Sequence, residues 1–243
     1  KYPLHEFEKE NRKEEERCLA IAEEIISNSH KSKGEFGPVA AVLIEPVQAE
    51  GGDRHATQFF FQGLRGLTKK YDIAMICDEV QTGGGATGKF WAHEHWGLED
   101  PADLVCFSKK CQAAGYYSKD EYVPKQTYRI FNTWLGDPLR AIEFKTILDV
   151  VERDNLLDVV NESGKVLMDG LHKIQERYPS LISNIRGQGT FCAFDVVNVD
   201  KRTALQQHMR NNGVEMGVSG ERSVRLRPHL IFTTHHANIF LNT

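Results

Sequence analysis

The sequence lacks long apolar runs, a strong charge of one sign and closely spaced cysteine pairs. No stretch approaches the roughly 20 apolar residues of a bilayer-spanning helix, so no membrane partner is predicted. The 243 residues include 30 basic and 34 acidic side chains, which give a net charge of -4. This balance offers no basic surface for a nucleic-acid partner. The composition, 40% hydrophobic and 26% charged, is that of a globular protein.

Cysteine is present in an odd number and in no Cys-x-x-Cys pair. The five residues are Cys18, Cys77, Cys106, Cys111 and Cys192. Their spacing predicts neither a disulfide framework nor a zinc ribbon. Cys77 and Cys106 lie in apolar runs, where a free thiol behaves as a small hydrophobic group. A reducing compartment is therefore expected.

Two motifs match known sites only formally. Residues 83–88 fit GxGxxG, but polar residues separate them from the preceding strand, and a P-loop would need Ser or Thr where Phe90 stands. We interpret this glycine run as a turn beside a pocket. His93 and His95 flank Glu94 without the HExxH spacing, so they are interpreted as packing or surface groups and no metal site is predicted.

The first half of the sequence alternates helical and strand patterns. Apolar runs at residues 39–44, 73–77 and 104–107 predict buried strands. Helices are predicted before the first strand and over residues 57–71, and residues 33–38 are expected to end the first helix. Strands that alternate with helices indicate right-handed crossovers and a mostly parallel sheet, the α/β class.

The pattern changes after Pro138. Residues 139–178 have helical periodicity with a break near residues 154–155. Short strands are predicted at 182–186, 189–195 and 223–227, with helices at 202–211 and 235–242. This arrangement indicates that a smaller α+β part follows the α/β part.

Reactive side chains follow two of the predicted parallel strands. Asp78 comes directly after one strand, and Lys109 and Lys110 follow another. Ligands of open α/β sheets bind where strand carboxyl ends meet loops. An acid that can face a ring nitrogen, together with a lysine that can bond to an aldehyde, is what pyridoxal phosphate chemistry requires of a protein.

Five ordered stretches carry a family resemblance: residues 44–53, 77–83, 107–110, 128–138 and 186–192. Together they resemble the class-III (ω-amino acid) aminotransferases, and among these the group of animal mitochondria that acts on 4-aminobutyrate. The resemblance implies a fold-type I, pyridoxal-phosphate-dependent transferase. Residues 1–145 would be the C-terminal part of the large domain, and residues 146–243 a small domain truncated at its end.

The resemblance also implies roles for the residues near the cofactor. Lys110 would bond covalently to pyridoxal phosphate and then move protons, with Lys109 as its competitor. Asp78 would pair with the pyridinium nitrogen, Val80 would pack on one ring face, and Gln81 would bind the ring hydroxyl. Ala114 stands where the family has glycine, which bears on the backbone geometry after the lysine.

Further residues would bind substrate or reach across a homodimer. Glu50 and Arg225 resemble a switch pair, in which Arg225 is neutralised by Glu50 or binds a substrate carboxylate, with Arg227 as the less favoured choice for this arginine. Glu45 would help to shape the site. Thr133 would donate to the cofactor phosphate of the partner subunit. The family's location implies the mitochondrial matrix.

The implied activity is transamination of 4-aminobutyrate with 2-oxoglutarate, giving succinate semialdehyde and glutamate. No glycine/serine phosphate cradle, ring-stacking aromatic residue or carboxylate-gripping arginine of the family's upstream half is recognised. The sequence is therefore expected to correspond to the C-terminal half of such an enzyme and not to be active alone. Two alternatives are another ω-aminotransferase, of β-alanine or ornithine type, and a truncated, non-catalytic paralogue that acts as a dimerising partner.

Overall fold

The computed structural model describes residues 1–2, 4–31 and 37–243. Within these residues the α-helices are α1 (Glu8–Lys31), α2 (Gln58–Lys70), α3 (Pro138–Arg153), α4 (Leu156–Arg177), α5 (Val199–Asn211) and α6 (Thr234–Asn242). The strands are β1 (Ala41–Ile44), β2 (Ala74–Asp78), β3 (Leu104–Phe107), β4 (Gly115–Ser118), β5 (Ile182–Gln188), β6 (Phe191–Val196), β7 (Gly217–Ser219) and β8 (Ser223–Leu226). Short 3-10 helices span Ala92–Trp96, Lys109–Cys111 and Asp120–Tyr122.

The first sheet has the order β1-β2-β3-β4. Strands β1, β2 and β3 are parallel, as the buried apolar runs predict. Met75, Cys77 and Val105 are fully or almost fully buried between the covering elements. On one face the rings of Phe61 and Trp96 stack with centroids 4.1 Å apart, which fixes α2 against the 3-10 helix that precedes β3.

Strand β4 was not predicted, and it reverses the direction of the sheet. It pairs antiparallel with β3, from Leu104 opposite Ser118 to Phe107 opposite Gly115. Its residues are mostly exposed, so its sequence lacks the apolar run that identifies the other three strands. The sheet is accordingly mixed but mostly parallel.

The second sheet is antiparallel, with the order β5-β6-β8-β7. Every residue of β6 is buried, because α4 and α6 cover one face of this sheet and Phe191 packs against Val47, Ala49 and Ala86. The main core cluster lies here and includes Leu167, Leu171, Ile185, Phe194 and Val224. Strand β7 was not predicted, since it is only Gly217–Ser219.

The predicted helical break near residues 154–155 is confirmed. Helix α3 begins with Pro138 behind an Asp137 cap and ends at Arg153, and Asn155 adopts a left-handed conformation with φ 49°. Asparagine tolerates this region better than most residues, so the chain turns there without a glycine. The predicted end of the first helix falls partly on residues 32–36, which lie outside the described residues.

Backbone hydrogen bonds connect the glycine run to the second sheet. The amides of Thr190 and Phe191 donate to the Ala86 carbonyl at 3.0 and 3.2 Å. The amides of Gly84 and Gly85 close the run onto the Phe90 carbonyl. The run therefore forms a turn. Among the helices of the described residues, none combines the length and apolar character needed to cross a bilayer.

Candidate active site

Asp78 and Lys110 extend from neighbouring parallel strands. Asp78 is the last residue of β2 and lies opposite Cys106 of β3. Its Oδ1 accepts the Val80 amide at 3.0 Å, which fixes the carboxylate at the strand end. Lys110 follows β3 within a 3-10 turn. The carboxyl ends of parallel strands lie at one edge of a sheet, so both groups belong to that edge.

Lys110 is half-buried, whereas Lys109 is exposed. The Lys110 Nζ donates to the Pro228 carbonyl at 2.9 Å. Burial lowers the pKa of Lys110, and the positive charge of Arg227 lowers that pKa further. A side chain at Gly84 would place its Cβ 2.9 Å from the Lys110 Cβ, so the glycine turn leaves the space that Lys110 occupies.

The loop that carries Lys110 accommodates Ala114. Its left-handed residues are Lys109, with φ 46°, and Gln112, with φ 49°. Ala114 is not among the residues with positive φ, so alanine in the glycine position introduces no backbone strain. The departure from the family pattern at this residue leaves the loop intact.

Gln81, Glu50 and Arg225 form a hydrogen-bonded chain. The Glu50 Oε1 accepts from Gln81 Nε2 at 2.8 Å and from the Arg225 guanidinium at 3.0 Å. Hydrogen bonds from Arg225 and then Gln81 lower the pKa of Glu50. The Glu50 side chain is 73% exposed and that of Arg225 is 23% exposed. The acid is therefore the more mobile partner in this ion pair.

Glu45 contacts the turn that carries Glu50. Its Oε2 accepts the Ala49 amide at 3.3 Å. The turn is closed by backbone hydrogen bonds between Gln48 and Arg54. The structure thus places Glu45 beneath the turn.

Thr133 lies apart from these groups on an exposed turn between β4 and α3. No hydrogen bond found within the described ranges joins it to Asp78, Gln81 or Lys110. Its neighbours Tyr128, Phe131 and Trp134 are 87%, 72% and 80% exposed.

Sequence reasoning missed a second ion pair beside Lys110. One Arg227 nitrogen donates to both oxygens of Asp53 at 2.6 and 2.7 Å. The guanidinium also lies 3.3 Å from the ring centroid of Phe191. Residues two apart on extended chain lie on one face, so the spacing of Arg225 and Arg227 was an available signal. No comparable sequence signal identified Asp53.

Glu79, adjacent to Asp78, is the centre of a buried hydrogen-bonded cluster. Its carboxylate accepts from the Thr82 hydroxyl, and from the amide and the ring Nδ1 of His93 at 2.7 and 2.8 Å. Ligand-type atoms of Cys77, Glu79 and His93 lie within 4.8 Å of one another. Protein donors use both oxygens of the Glu79 carboxylate. These hydrogen bonds join the Asp78–Thr82 segment to the 3-10 helix Ala92–Trp96.

The donor set at the sheet edge fits pyridoxal phosphate. The chain offers a half-buried amine with a lowered pKa at Lys110, a carboxylate at Asp78 and an amide at Gln81. These groups match the aldehyde, the ring nitrogen and the ring hydroxyl of that cofactor. Val80 lies two residues after Asp78 and is half-buried.

Comparison with known proteins agrees with this chemistry. The family described as Aminotransferase class-III matches residues 1–243. A 4-aminobutyrate aminotransferase of Dictyostelium discoideum is 54% identical over 242 residues, which cover 100% of this chain and 48% of that protein. The mitochondrial 4-aminobutyrate aminotransferase of Sus scrofa is 50% identical with the same coverage. The chain spans about half the length of the curated relatives it matches.

Solved structures show the same architecture. A lysine aminotransferase from M. tuberculosis, in the internal aldimine form, superposes with a TM-score of 0.84 at 29% identity, over 94% of this chain and 52% of that one. A Plasmodium falciparum ornithine delta-aminotransferase gives 0.75 at 26%, over 84% of this chain and 54% of that one. The fold is that of the fold-type I, pyridoxal-phosphate-dependent aminotransferases. Within that class, the chain belongs to the class-III aminotransferase family.

Proposed function

We propose that this chain forms part of the active site of a transaminase that moves the amino group of 4-aminobutyrate to 2-oxoglutarate. The products are succinate semialdehyde and glutamate. The observation that carries the proposal is the meeting of Lys110 with the Arg225–Pro228 segment, beside the Glu50–Arg225 pair. The identity of 50–54% to 4-aminobutyrate aminotransferases supports this choice of substrates.

Pyridoxal phosphate, when bound, supplies an electron sink for the substrate carbon that loses a proton. Asp78 would pair with the ring nitrogen, Val80 would pack on the ring, and Gln81 would bind the ring hydroxyl. Lys110 would hold the cofactor covalently, and its amine would then take and return the substrate proton. A lysine does this near neutral pH only when its pKa is lowered, as burial and Arg227 do here.

The Glu50–Arg225 pair allows one site to accept two substrates of different charge. When 4-aminobutyrate reacts, Glu50 neutralises Arg225, because the reacting carbon of this substrate bears no carboxylate. When glutamate or 2-oxoglutarate reacts, Arg225 releases the exposed Glu50 and binds the substrate carboxylate in a two-point contact. Glu45 supports the turn that carries Glu50.

We assign residues 1–145 to the cofactor-binding large domain and residues 146–243 to the small domain. The boundary falls within α3, and the second sheet lies wholly in the small domain. The mitochondrial names of the mammalian relatives support a location in the mitochondrial matrix.

A second copy of the chain is the proposed partner of the Thr133 loop. This surface exposes the large apolar side chains Tyr128, Ile130, Phe131, Trp134, Leu135, Leu139 and Ile142. A contiguous apolar surface of this kind marks an interaction site. In such a dimer, Thr133 would donate to the cofactor phosphate of the other subunit. A Trp134→Glu variant should sediment as a monomer where the wild type is a dimer.

Two other functions remain as candidates. The chain also superposes on lysine and ornithine aminotransferases, which supports an ω-aminotransferase of different donor preference. The apolar Thr133 loop is also compatible with a non-catalytic, dimerising paralogue. Screening of amine donors distinguishes the first candidate from a 4-aminobutyrate aminotransferase. Titration with the cofactor distinguishes the second candidate from an enzyme.

The direct experiment is an absorbance titration of the purified chain with pyridoxal phosphate. Bonding of the cofactor to a lysine gives a visible band. We expect this band in the wild type and in Lys109→Ala, which is the matched control, and its loss in Lys110→Ala. Absence of the band in the wild type would contradict the enzyme proposal for this chain. Loss of the band in Lys109→Ala alone would show that Lys109, and not Lys110, bonds to the cofactor.

A further inference from the structure

Two ion pairs join the same two segments of the chain. One segment is the turn that carries Glu50 and Asp53, and the other is the end of β8 with Arg225 and Arg227. The outer pair is Glu50–Arg225 and the inner pair is Asp53–Arg227. Because the two arginines are two residues apart on extended chain, they face the turn from the same side.

The two pairs differ strongly in burial. The Glu50 side chain is 73% exposed, whereas that of Asp53 is 0% exposed. Arg227 contacts both Asp53 oxygens and also stacks on the buried Phe191 ring. Breaking a buried ion pair is costly because it leaves a buried charge without its partner. Water solvates an exposed carboxylate such as Glu50, so breaking its ion pair does not carry this cost. The outer pair can therefore open while the inner pair stays closed.

The position of Asp53 is imposed by its surroundings. Its φ is +52°, in the left-handed region that few non-glycine residues occupy. Arg186 grips the same turn, since its guanidinium donates to the Asp53 carbonyl at 2.8 Å and to the Gly52 carbonyl. Such a conformation persists only where neighbouring contacts determine it.

The inner pair also lies next to the reactive lysine. Pro228, whose carbonyl accepts the Lys110 amine, directly follows Arg227. Gly84 of the glycine turn also packs against Lys110, since a Cβ built at Gly84 would lie 2.9 Å from the Lys110 Cβ. Arg227 is the charged group that acts on the Lys110 amine, and Asp53 neutralises Arg227 from the far side.

We propose that Asp53–Arg227 is a positioning pair, which holds the Pro228 carbonyl against Lys110 and keeps the turn aligned with β8 while the outer Glu50–Arg225 pair opens. The part that concerns Lys110 goes beyond the proposed function, and the part that concerns the outer pair rests on it. Neither Asp53 nor Arg227 is assigned a contact with substrate.

The first test measures the acylation rate of Lys110 against pH in the chain without cofactor, by mass spectrometry. Only the neutral amine reacts, so the midpoint of the rate reports the Lys110 pKa. Arg227→Gln removes a nearby positive charge and should move the midpoint to higher pH. Asp53→Asn leaves Arg227 without its counter-charge and should move the midpoint to lower pH.

Opposite shifts would show that the two halves of this ion pair act on Lys110 through their opposite charges, whereas a general loss of structure would move both variants in the same direction. Arg227→Lys keeps the charge and should stay near the wild-type midpoint. Arg210→Gln and Glu215→Gln, which break an exposed arginine–carboxylate pair, are the matched controls and should shift nothing. If Asp53→Asn does not fold, the comparison of Arg227→Gln with Arg227→Lys decides.

Shifts of the same sign, or none, would overturn the role toward Lys110.

The second test uses the cofactor-loaded protein and compares Arg227→Lys with the wild type. Loss of the guanidinium, which contacts Asp53 and stacks on Phe191, should raise KM for 2-oxoglutarate several-fold and change KM for 4-aminobutyrate less. Equal changes in both would overturn the role toward the outer pair. A wild type that shows no cofactor absorbance band would contradict the proposed function but leave the acylation result standing.

Discussion

The two sheets contribute to the candidate site in different ways. The parallel sheet presents its groups at strand ends, with Asp78 ending β2 and Lys110 following β3. The antiparallel sheet contributes arginines that extend from strands and grip a loop: Arg186 from β5, Arg225 from β8 and Arg227 just beyond it. The first sheet thus presents Asp78 and Lys110 at strand ends, and the second supplies cations that contact the turn carrying Glu50 and Asp53.

This difference follows from strand geometry. Parallel strands run in one direction and gather their carboxyl ends at one edge, where polar residues interrupt apolar runs. Antiparallel strands alternate in direction, so their carboxyl ends do not gather at one edge. The arginines of the second sheet therefore act through the segment that packs against them. A variant in the second sheet should therefore affect positioning and stability first, and chemistry only through other residues.

The largest effect on stability is expected from Arg186→Gln. Arg186 is 5% exposed and donates to three backbone carbonyls, Asp195 and Ser223. Its loss leaves buried acceptors unpaired and should lower the free energy of unfolding by about 3–5 kcal/mol in urea titrations. Lys165→Gln, which breaks the exposed Lys165–Asp169 pair, should cost about 0.3–0.5 kcal/mol. Equal costs would contradict the positioning role of the second sheet.

The next effect concerns substrate charge and sharpens the role of β8. Arg225→Lys replaces a two-point carboxylate contact with a single ammonium group. We expect kcat/KM for 2-oxoglutarate to fall about tenfold, equivalent to about 1.4 kcal/mol, with a smaller change for 4-aminobutyrate. Half-reaction kinetics on the cofactor-loaded protein measure this. Arg222→Lys, at an exposed position of the same hairpin, is the control, and an equal fall for both substrates would contradict the switch.

The third prediction is a pH dependence caused by the arginines of the second sheet. Burial, then Arg186 and Arg227, lower the pKa of His55 to about 3. The unfolded chain binds this proton near pH 6.5, so stability is full above pH 6.5 and falls as the pH drops toward 3. The slope approaches about 1.4 kcal/mol per pH unit.

Urea unfolding between pH 6.5 and pH 5 tests this slope, because carboxylates contribute little there. His55→Gln should flatten it, whereas His208→Gln, at an exposed position on α5, should not. An unchanged slope in His55→Gln would show that the guanidinium groups do not act on this ring.

The smallest effect is expected at the Glu79 cluster of the first sheet. Thr82→Val removes one hydrogen bond to the buried Glu79 carboxylate and should cost about 1 kcal/mol in denaturant unfolding. Thr203→Val, at an exposed position on α5, should stay within about 0.5 kcal/mol. A larger loss of unfolding free energy in Thr203→Val than in Thr82→Val would show that the Glu79 cluster does not stabilise this sheet.

The sequence predicted the parts of the molecule that carry a strong local pattern. Strands β1, β2 and β3 follow from apolar runs, and the break between α3 and α4 follows from an interrupted helical period. Strand β4 escaped because its side chains are exposed, and β7 because it is so short. These strands are formed by pairing with neighbours, which a single segment does not encode.

Part of the candidate site was predictable in the same way. Lys110 and Asp78 end apolar runs, and their location at one sheet edge follows from topology. Asp53 was not predictable, because its importance arises from Arg227, which lies 174 residues away in sequence. The burial of Glu79 likewise depends on His93, a contact that the sequence does not indicate.

The antiparallel return from β3 to β4 has a consequence for how Lys110 is held. Residues 108–114 are a closed loop, because Phe107 and Gly115 are paired in the sheet at its two ends. The reach of the amine is therefore set by the length of this loop. One inserted residue, or one cut peptide bond between Gln112 and Ala113, would keep every functional residue in the chain and still free the segment that carries Lys110 from its attachment to β4.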